Sequence, residues 1–403
     1  MDSVHLPRRL LLAGIGSAAV ATATGCDSHR ATSVTPTTTP RSSPTSHGGA
    51  TTPRPSRTTR GGDAALRRKI ASLLVVGFRG TRVTANDWIV KAIKGGLGGV
   101  ILFDQDQETR TVRNIESPRQ VSALVKALKD ASPGRLIVSI DQEGGRISRL
   151  NPSNGFPATR SEADIGAENS APATREWARG LVADLTRVGV NVNYAPVVDL
   201  NINPQSRAIG KLGRSFSANP AVVVSNATEE IQAHRAAAVK TNLKHFPGLG
   251  SAAGNTDFEI VDVTDTWREI ELEPFQRLIQ AGFADSIMAA HILNRKLDPT
   301  HPASLSTATV TGLLRGRLGW QGPVVSDDMQ AAAISRRYPA ADAVALALQA
   351  DLDLLVFANQ QVYNPHVVEQ TLDTIVNLVH TGRLSEDRIE QSVARVDTLR
   401  PKH

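Results

Sequence analysis

From position 63 onward the chain repeats one pattern: a short run rich in Val, Ile and Leu, a longer amphipathic stretch, then another short run. Eight such runs fall at 72–78, 99–103, 136–140, 190–195, 238–245, 286–291, 323–326 and 352–357. Polarity does not alternate within them, which is the signature of strands buried on both faces, as in a parallel sheet covered by helices. Eight strands with helical connections predict an α/β fold, a (β/α)8 TIM barrel forming one catalytic domain. A doubly wound open sheet shares the pattern. No glycine-rich dinucleotide fingerprint follows the first run, which counts against that competitor.

The first 62 residues follow a different logic. Arg8 and Arg9 precede an apolar, Ala-rich run over 10–23, and Ala23, Thr24 and Gly25 lead into Cys26. A charged start, a short apolar core and a small-residue cleavage site predict a signal peptide over 1–25. The run is too short for a spanning helix, which needs about 20 apolar residues. Cysteine directly after the small residues resembles a bacterial lipobox, making Cys26 the lipidation site. The paired arginines leave Sec and twin-arginine export both open. Residues 26–62 are dominated by Thr, Ser, Pro and Arg, cannot bury enough apolar surface to offset ordering entropy, and read as a disordered linker. The folded domain is expected over 63–403.

Charge sharpens this division. The net +6 is concentrated at the N-terminus, where seven arginines in residues 1–60 face only Asp2 and Asp27. The remainder is nearly neutral, so a basic nucleic-acid face is not expected. Cys26 is the only cysteine, which excludes an intrachain disulfide and a cysteine-based metal cluster.

Barrel enzymes carry their chemistry at the C-terminal ends of the strands. There the sequence places Asp141 after the third run, Asp199 after the fourth, Lys244 and His245 at the end of the fifth, His291 after the sixth, and Asp327 and Asp328 after the seventh. Each alone has a mundane reading as a helix cap, a structural histidine or a solvated lysine. Together they would surround one polar cavity. Carboxylates, Lys, Arg and His without a motif such as HExxH fit a polyhydroxylated ligand and acid/base or nucleophilic chemistry, without a metal.

At these residues the sequence resembles glycoside hydrolase family 3, in its single-domain β-N-acetylglucosaminidase branch. The matching segments are IDQEGGRISRL (140–150), NYAPVVDLN (193–201), GRSF (213–216), KHFPG (244–248), MAAHI (288–292), PASLS (302–306) and LLRGRLGWQGPVVSDDM (313–329). The resemblance implies a retaining glycosidase with Asp327 as nucleophile. It also implies that Asp141, Arg149, Arg214, Lys244 and His245 bind the sugar next to the scissile bond. Asp328 is expected to cap a helix or stabilise a loop. Neighbouring cations such as Arg214 and Lys244 would keep Asp327 ionised.

The match breaks in one loop. The branch pattern continues after KHFPG with a His-Gly pair and then an Asp-Ser-His triplet whose histidine is the general acid/base. This chain reads KHFPGLGSAAGNTDF, with Leu249 for the first histidine and Asn255, Thr256 and Asp257 for the triplet. Three readings follow. Asp257 acts as acid/base with a raised pKa, with Glu259 in reserve. Alternatively, no side chain fills the role, at a cost of about 10²- to 10⁴-fold. Or catalysis is lost and the chain is a glycan-binding lipoprotein.

The resemblance implies a carbohydrate substrate and no cofactor. The anchor would place the domain at the outer face of the cytoplasmic membrane, touching the membrane through its lipid alone, where peptidoglycan-derived aminosugars are the nearest substrates. β-Glucosidase or β-xylosidase specificity stays open. A monomer is expected, since nothing in the composition demands an oligomer.

Overall fold

The computed structural model describes residues 57–402. The signal-peptide, lipobox and linker readings over 1–56, Cys26 included, lie outside the described residues.

The first helix is Arg57–Ala71, so helical structure begins before position 63. Leu66 and Ile70 on this helix are buried in the core. Once such a turn is anchored, each further residue adds a hydrogen bond at little extra ordering cost, and the helix propagates toward its N-terminus.

Strands β1 (Leu74–Gly77), β2 (Gly99–Ile101) and β3 (Ile137–Ile140) come next. A hairpin of β4 (Gln142–Gly144) and β5 (Ile147–Ser148) follows β3 directly. The sheet continues with β6 (Val192–Asn193), β7 (Lys240–Thr241), β8 (Leu243–Phe246), β9 (Ile287–Ala289), β10 (Val324–Asp328) and β11 (Leu354–Phe357). Every one of the eight runs contains a strand. The main sheet runs in the order β7-β6-β3-β2-β1-β11-β10-β9-β8, and all its pairings are parallel.

The fifth run supplies two strands. β7 pairs with β6, and β8 pairs with β9, so the two ends of the sheet meet across Asn242. Asn242 donates its backbone N–H to Ala195 O and its side-chain amide to Ser286 Oγ at 2.7 Å. Its polar side chain thus spans the seam where the ladder breaks, and the segment 240–246 acts as one bent strand closing the barrel.

Helices cover the outside, as the pattern requires. In Pro118–Asp130, Ser117 Oγ accepts from the Gln120 N–H and proline occupies the first turn, two strong start signals. Val121, Leu124, Val125 and Leu128, spaced on one helical face, are buried against the sheet. The strands themselves contribute Val75, Val76, Val100, Val138, Leu355 and Val325 to a continuous core.

At the N-terminal end of the barrel, Asp353 is fully buried. It accepts from Arg315 Nη2 at 2.7 Å, Ser392 Oγ at 2.7 Å and the Val324 N–H at 3.0 Å, and also pairs with Arg388 and Arg395. This cluster ties the last helix, Glu386–Asp397, to strands β10 and β11.

Candidate active site

A pocket of about 790 Å³, counted out to its open mouth, lies at the C-terminal ends of the strands. Its walls contain Asp141, Arg149, Arg214, Lys244, His245, Asp257 and Asp327, so all seven sequence-derived site residues of the barrel meet in one cavity. They arrive on four strand ends and the loops that follow them, those of β3, β6, β8 and β10, because parallel strands deliver their C-termini to a common rim.

Lys244, on β8, is almost fully buried. It donates Nζ–H to Asp141 Oδ1 at 2.7 Å and sits 2.6 Å from Glu143 Oε1. Glu143, on β4, also takes a two-pronged contact from Arg214, with Nε at 2.6 Å and Nη2 at 2.8 Å. Burial alone would raise the Glu143 carboxyl, but Arg214 and Lys244 outweigh it and hold it well below the usual carboxylate range. The same acids offset burial at Lys244, whose pKa is raised. Glu143 was not singled out from sequence, although it lies inside IDQEGGRISRL. Its role is to neutralise two cations that would otherwise repel across the pocket floor.

His245 is fixed by what surrounds it. Arg214 Nη2, which can only donate, lies 3.3 Å from Nε2, so Nε2 accepts and Nδ1–H donates to Asp199 Oδ2 at 2.7 Å. Asp199, fully buried, also accepts the backbone N–H groups of His245 and of Leu249. It therefore fastens the start of the loop that carries Asp257. The backbone passes tightly here: Gly248 has φ +119°, and a Cβ on Gly250 would lie 1.6 Å from Leu200 O. Leu249 is buried in an apolar cluster with Val197, Ile209 and Ile292, so it packs the loop from behind.

Asp327 and Asp328 end β10 and divide their labour. Asp328 Oδ1 accepts the Gln330 N–H at 3.1 Å and the Ala358 N–H at 2.9 Å, holding the loops after β10 and β11. Asp327 Oδ1 accepts the Asp328 N–H at 2.8 Å and otherwise faces the cavity. Burial opposes its charge, yet His291, His245, the Asp328 amide and Lys244 together hold its carboxyl below the ordinary value. His291 lies just outside the pocket wall. Its Nε2–H donates to Asp328 O at 2.8 Å, and Nδ1 receives Ser304 Oγ–H at 2.6 Å.

Asp257 has the opposite environment. Burial and the nearby Asp327 carboxylate raise it to about 6, against opposing pulls from Arg214 and His245. Its loop is latched onto its neighbours: Ala332 N–H donates to Asp257 O at 3.1 Å, Ala333 N–H to Thr256 O at 3.1 Å, and Gln361 Nε2 to Asp257 O at 2.5 Å. The first two donors belong to the segment that follows the Asp327 strand, so the two carboxyls are referenced to one piece of backbone. Sequence reasoning missed Gln361, which sits in an irregular loop after β11 with no motif to mark it. Glu259, held in reserve as an acid, does not line the pocket. It pairs with Arg207 at 2.5 Å and accepts the Asn255 N–H, so its charge is spent on shaping the loop.

A pair of carboxyls, one held ionised and one with its pKa raised toward neutrality, is the arrangement that acid/base-assisted displacement at a sugar carbon requires. Comparison with known proteins gives the family. The model of the glycosyl hydrolase family 3 N-terminal domain matches residues 65–399. The chain belongs to glycoside hydrolase family 3. It is 34% identical over 303 residues to the β-hexosaminidase of Xylella fastidiosa strain M23, covering 72% of this chain and 85% of that one. It is 32% identical over 331 residues to β-hexosaminidase A of Pseudoalteromonas piscicida, of which it spans 53%. Among solved structures, a family 3 β-N-acetylglucosaminidase from Paenibacillus sp. superposes with a TM-score of 0.75 at 33% identity, covering 83% of this chain and 62% of that one. The β-N-acetylhexosaminidase of Beutenbergia cavernae gives 0.73 at 29% identity, covering 82% and 97%.

As a family 3 glycosidase the chain acts on carbohydrate, and its (β/α)8 barrel is the expected fold. Among the described residues, no group of three or more His, Cys, Asp or Glu is placed to hold a metal ion. No helix among them is long and apolar enough to cross a membrane.

Proposed function

We propose that this family 3 chain is a retaining β-N-acetylhexosaminidase that uses Asp327 as nucleophile and Asp257, in place of the usual histidine, as general acid/base. The observation that carries the reading is the pairing in one pocket of an Asp327 held ionised with an Asp257 whose pKa is raised to about 6. In the first step Asp327 Oδ attacks the anomeric carbon, the glycosidic C–O bond breaks, and Asp257 gives its proton to the departing oxygen. In the second, Asp257 takes a proton from water, the water oxygen attacks the anomeric carbon, and the ester bond to Asp327 breaks. Two inversions leave the configuration retained.

The sugar itself is received by the charged floor. Asp141 accepts hydroxyl protons, Arg149, Arg214 and Lys244 supply donors around it, and His245 completes the wall beside them. The N-acetylhexosamine preference rests on the names of the related enzymes from Xylella, Pseudoalteromonas, Paenibacillus and Beutenbergia. We propose further that the chain is exported, lipidated at Cys26 and held at the outer face of the cytoplasmic membrane, acting as a monomer on aminosugars released from peptidoglycan. That reading rests on the arginines, the apolar run and the small residues before Cys26.

The test is the purified domain with 4-nitrophenyl β-glycosides of N-acetylglucosamine, glucose and xylose, with Asp327→Ala as control. Release from the N-acetylglucosaminide that vanishes in the variant, together with a 2-fluorosugar adduct on Asp327, is the expected result. A glucoside or xyloside preference overturns the sugar assignment. No release and no adduct on any substrate returns the chain to a glycan-binding protein.

A further inference from the structure

Glu162 and Glu230 are only 1% and 0% exposed, and neither forms an ion pair among the described residues. Glu162 opens the helix Glu162–Glu168, and Glu230 lies in the helix Pro220–Ala236. Glu162 Oε1 accepts the Val197 N–H at 2.9 Å, and the next amide, Val198 N–H, donates to Lys244 O at 2.9 Å. The helix of Glu162 also meets the segments that carry Glu143 and Arg214. Ala163 N–H donates to Gly213 O at 3.1 Å, and a Cβ on Gly145 would lie 2.6 Å from Ser161 Cβ. On the second helix, His234 Nε2 accepts from Asn193 Nδ2 at 3.0 Å, so its Nδ1–H donates to Glu230 O at 2.9 Å. Asn193 Nδ2 donates as well to the carbonyl of Gln142, the residue before Glu143. Both carboxyls thus stand behind the floor of the pocket, which neither of them lines.

Among the described residues, no donor reaches Glu162 Oε2 or either oxygen of Glu230. The charged and titratable groups that face the pair are Glu143, Arg214 and Lys244 from the floor and His234 from the helix of Glu230. Both cations are committed elsewhere, Lys244 to Asp141 and Glu143, and Arg214 to Glu143. Burial pushes His234 down to about 4, so its ring is neutral and offers no charge. A buried carboxylate with neither a cation nor a full set of donors is costly, and such a group keeps its proton instead. The electrostatics agree. Burial, followed by Glu230 and Glu143, raises Glu162 well above its ordinary value against the Val197 amide and Arg214, and burial with Glu143 raises Glu230 against Lys244. We propose that Glu162 and Glu230 are positioning residues, a pair of neutral carboxylic acids behind the sugar floor that leaves Asp141 and Glu143 as the only anions drawing on Lys244. An ionised Glu230 would pull the Lys244 ammonium away from Asp141, which it holds at 2.7 Å at the cavity. The proposal rests on the reading of that floor as the sugar site.

Glu162→Gln and Glu230→Gln test it, because glutamine keeps the shape and the neutrality and has no proton to lose. A proton kept by the folded state and lost by the unfolded chain weakens folding as pH rises, about tenfold in the folding constant per pH unit. By urea unfolding between about pH 5.5 and 7, the folding constant of each single variant relative to the parent is therefore expected to rise about tenfold per unit. A ratio that stays flat, as for carboxylates ionised and solvated by buried water, overturns the proposal. If a variant does not fold, the infrared spectrum of the parent decides. A protonated-carboxyl carbonyl band should outlast the titration of Asp257 at about 6 and of Glu271 and Asp328 at about 7, and its disappearance with them overturns the proposal.

The positioning role is read by calorimetric binding of methyl N-acetyl-β-thioglucosaminide, a neutral probe that resists hydrolysis. At neutral pH the Gln variants should bind it within about threefold of the parent, whereas removing an ionised partner of Lys244 would cost more than about tenfold. At alkaline pH the parent should lose affinity as the pair ionises, and the double Gln variant should keep it. A loss of more than about tenfold at neutral pH, or parallel pH profiles for parent and double variant, overturns the role. None of these measurements needs turnover, so an inactive chain that still binds the probe would end the catalytic reading and leave this inference to stand or fall by itself.

Discussion

Replacing Asp257 with Asn keeps the shape of the side chain and removes its transferable proton. The structure gives the size of the consequence. A carboxyl at its ordinary value of 3.8 would be protonated in only about 0.06% of molecules at pH 7, whereas one raised to about 6 is protonated in about 9%, a gain of about 150-fold in the competent acid. General acid/base catalysis contributes about 10²- to 10⁴-fold, so the Asn variant should lose that much on glycosides with alkyl leaving groups. It should lose little in the first step on 2,4-dinitrophenyl glycosides, which depart without a proton. Azide, which needs no deprotonation to attack the glycosyl ester, should restore turnover of such activated substrates and yield a β-glycosyl azide.

The pH dependence follows with a definite sign. The acid must be protonated, so kcat/KM on a poor leaving group should fall as pH rises through about 6, and this limb should be missing in Asp257→Asn. Stability runs the same way. Between 3.8 and about 6 the folded state keeps a proton that the unfolded chain has lost, so folding loses free energy as pH rises across that window. The penalty at pH 7 is on the order of 2 kcal/mol after allowing for solvent in the pocket. Asp257→Asn lifts it, and the slow variant should be as stable as the parent or more so by urea unfolding at pH 7. Wild-type kinetics on alkyl glycosides, an unchanged upper pH limb, or a flat response to azide would each refute the assignment. A variant both slow and destabilised would trace the lost rate to damaged structure.

Three other substitutions test the framework around this pair. Gln361→Ala removes one donor to the Asp257 carbonyl while Ala332 keeps another, so a loss of about 1 kcal/mol is expected, roughly fivefold in kcat on alkyl glycosides, with activated aryl substrates little changed. The split between substrate types distinguishes positioning of the acid from general damage. Glu143→Gln leaves Arg214 without its buried carboxylate and Lys244 with Asp141 alone, and the cost should be about 3 kcal/mol of stability at pH 7, read by urea unfolding. Because its carboxyl is held low, its contribution is present at neutral pH and fades on acidification, so parent and variant should converge as pH falls. Asp353→Ala, at the opposite end of the barrel, leaves Arg315, Arg388 and Arg395 short of a partner and should cost about 3–5 kcal/mol without altering KM of the folded fraction.

What could be read from the sequence follows from how each feature is encoded. The barrel was legible because strands buried on both faces must be continuously apolar, and the eight runs each contain a strand. The break at Asn242 was not, since a ladder that switches partners in mid-strand leaves no periodicity to detect. Asp141, Lys244, His245 and Asp327 were legible because strand ends are fixed once strands are found. Arg149 and Arg214 came through the resemblance, being held in loops whose course no local pattern reveals. Glu143 was hidden by its own function: a counter-ion for Lys244 and Arg214 is defined by three-dimensional proximity, and in sequence it is one more acid between Gln142 and Gly144. Gln361 was hidden for the same reason, because a donor to a carbonyl about a hundred residues away in the chain has no spacing rule.

The loop that departs from the family pattern is where sequence and structure together say the most. Losing a histidine from an acid/base loop reads in one dimension as loss of function. In three dimensions the loop of Asp257 is still latched to the segment following the Asp327 strand, by the amides of Ala332 and Ala333. Burial and the Asp327 charge push its carboxyl to about 6, close to the ordinary histidine value of about 6.5. A histidine brings that acidity with it, whereas an aspartate must receive it from its surroundings. The surroundings here supply it through two features: the depth of the pocket, and the Asp327 carboxylate nearby.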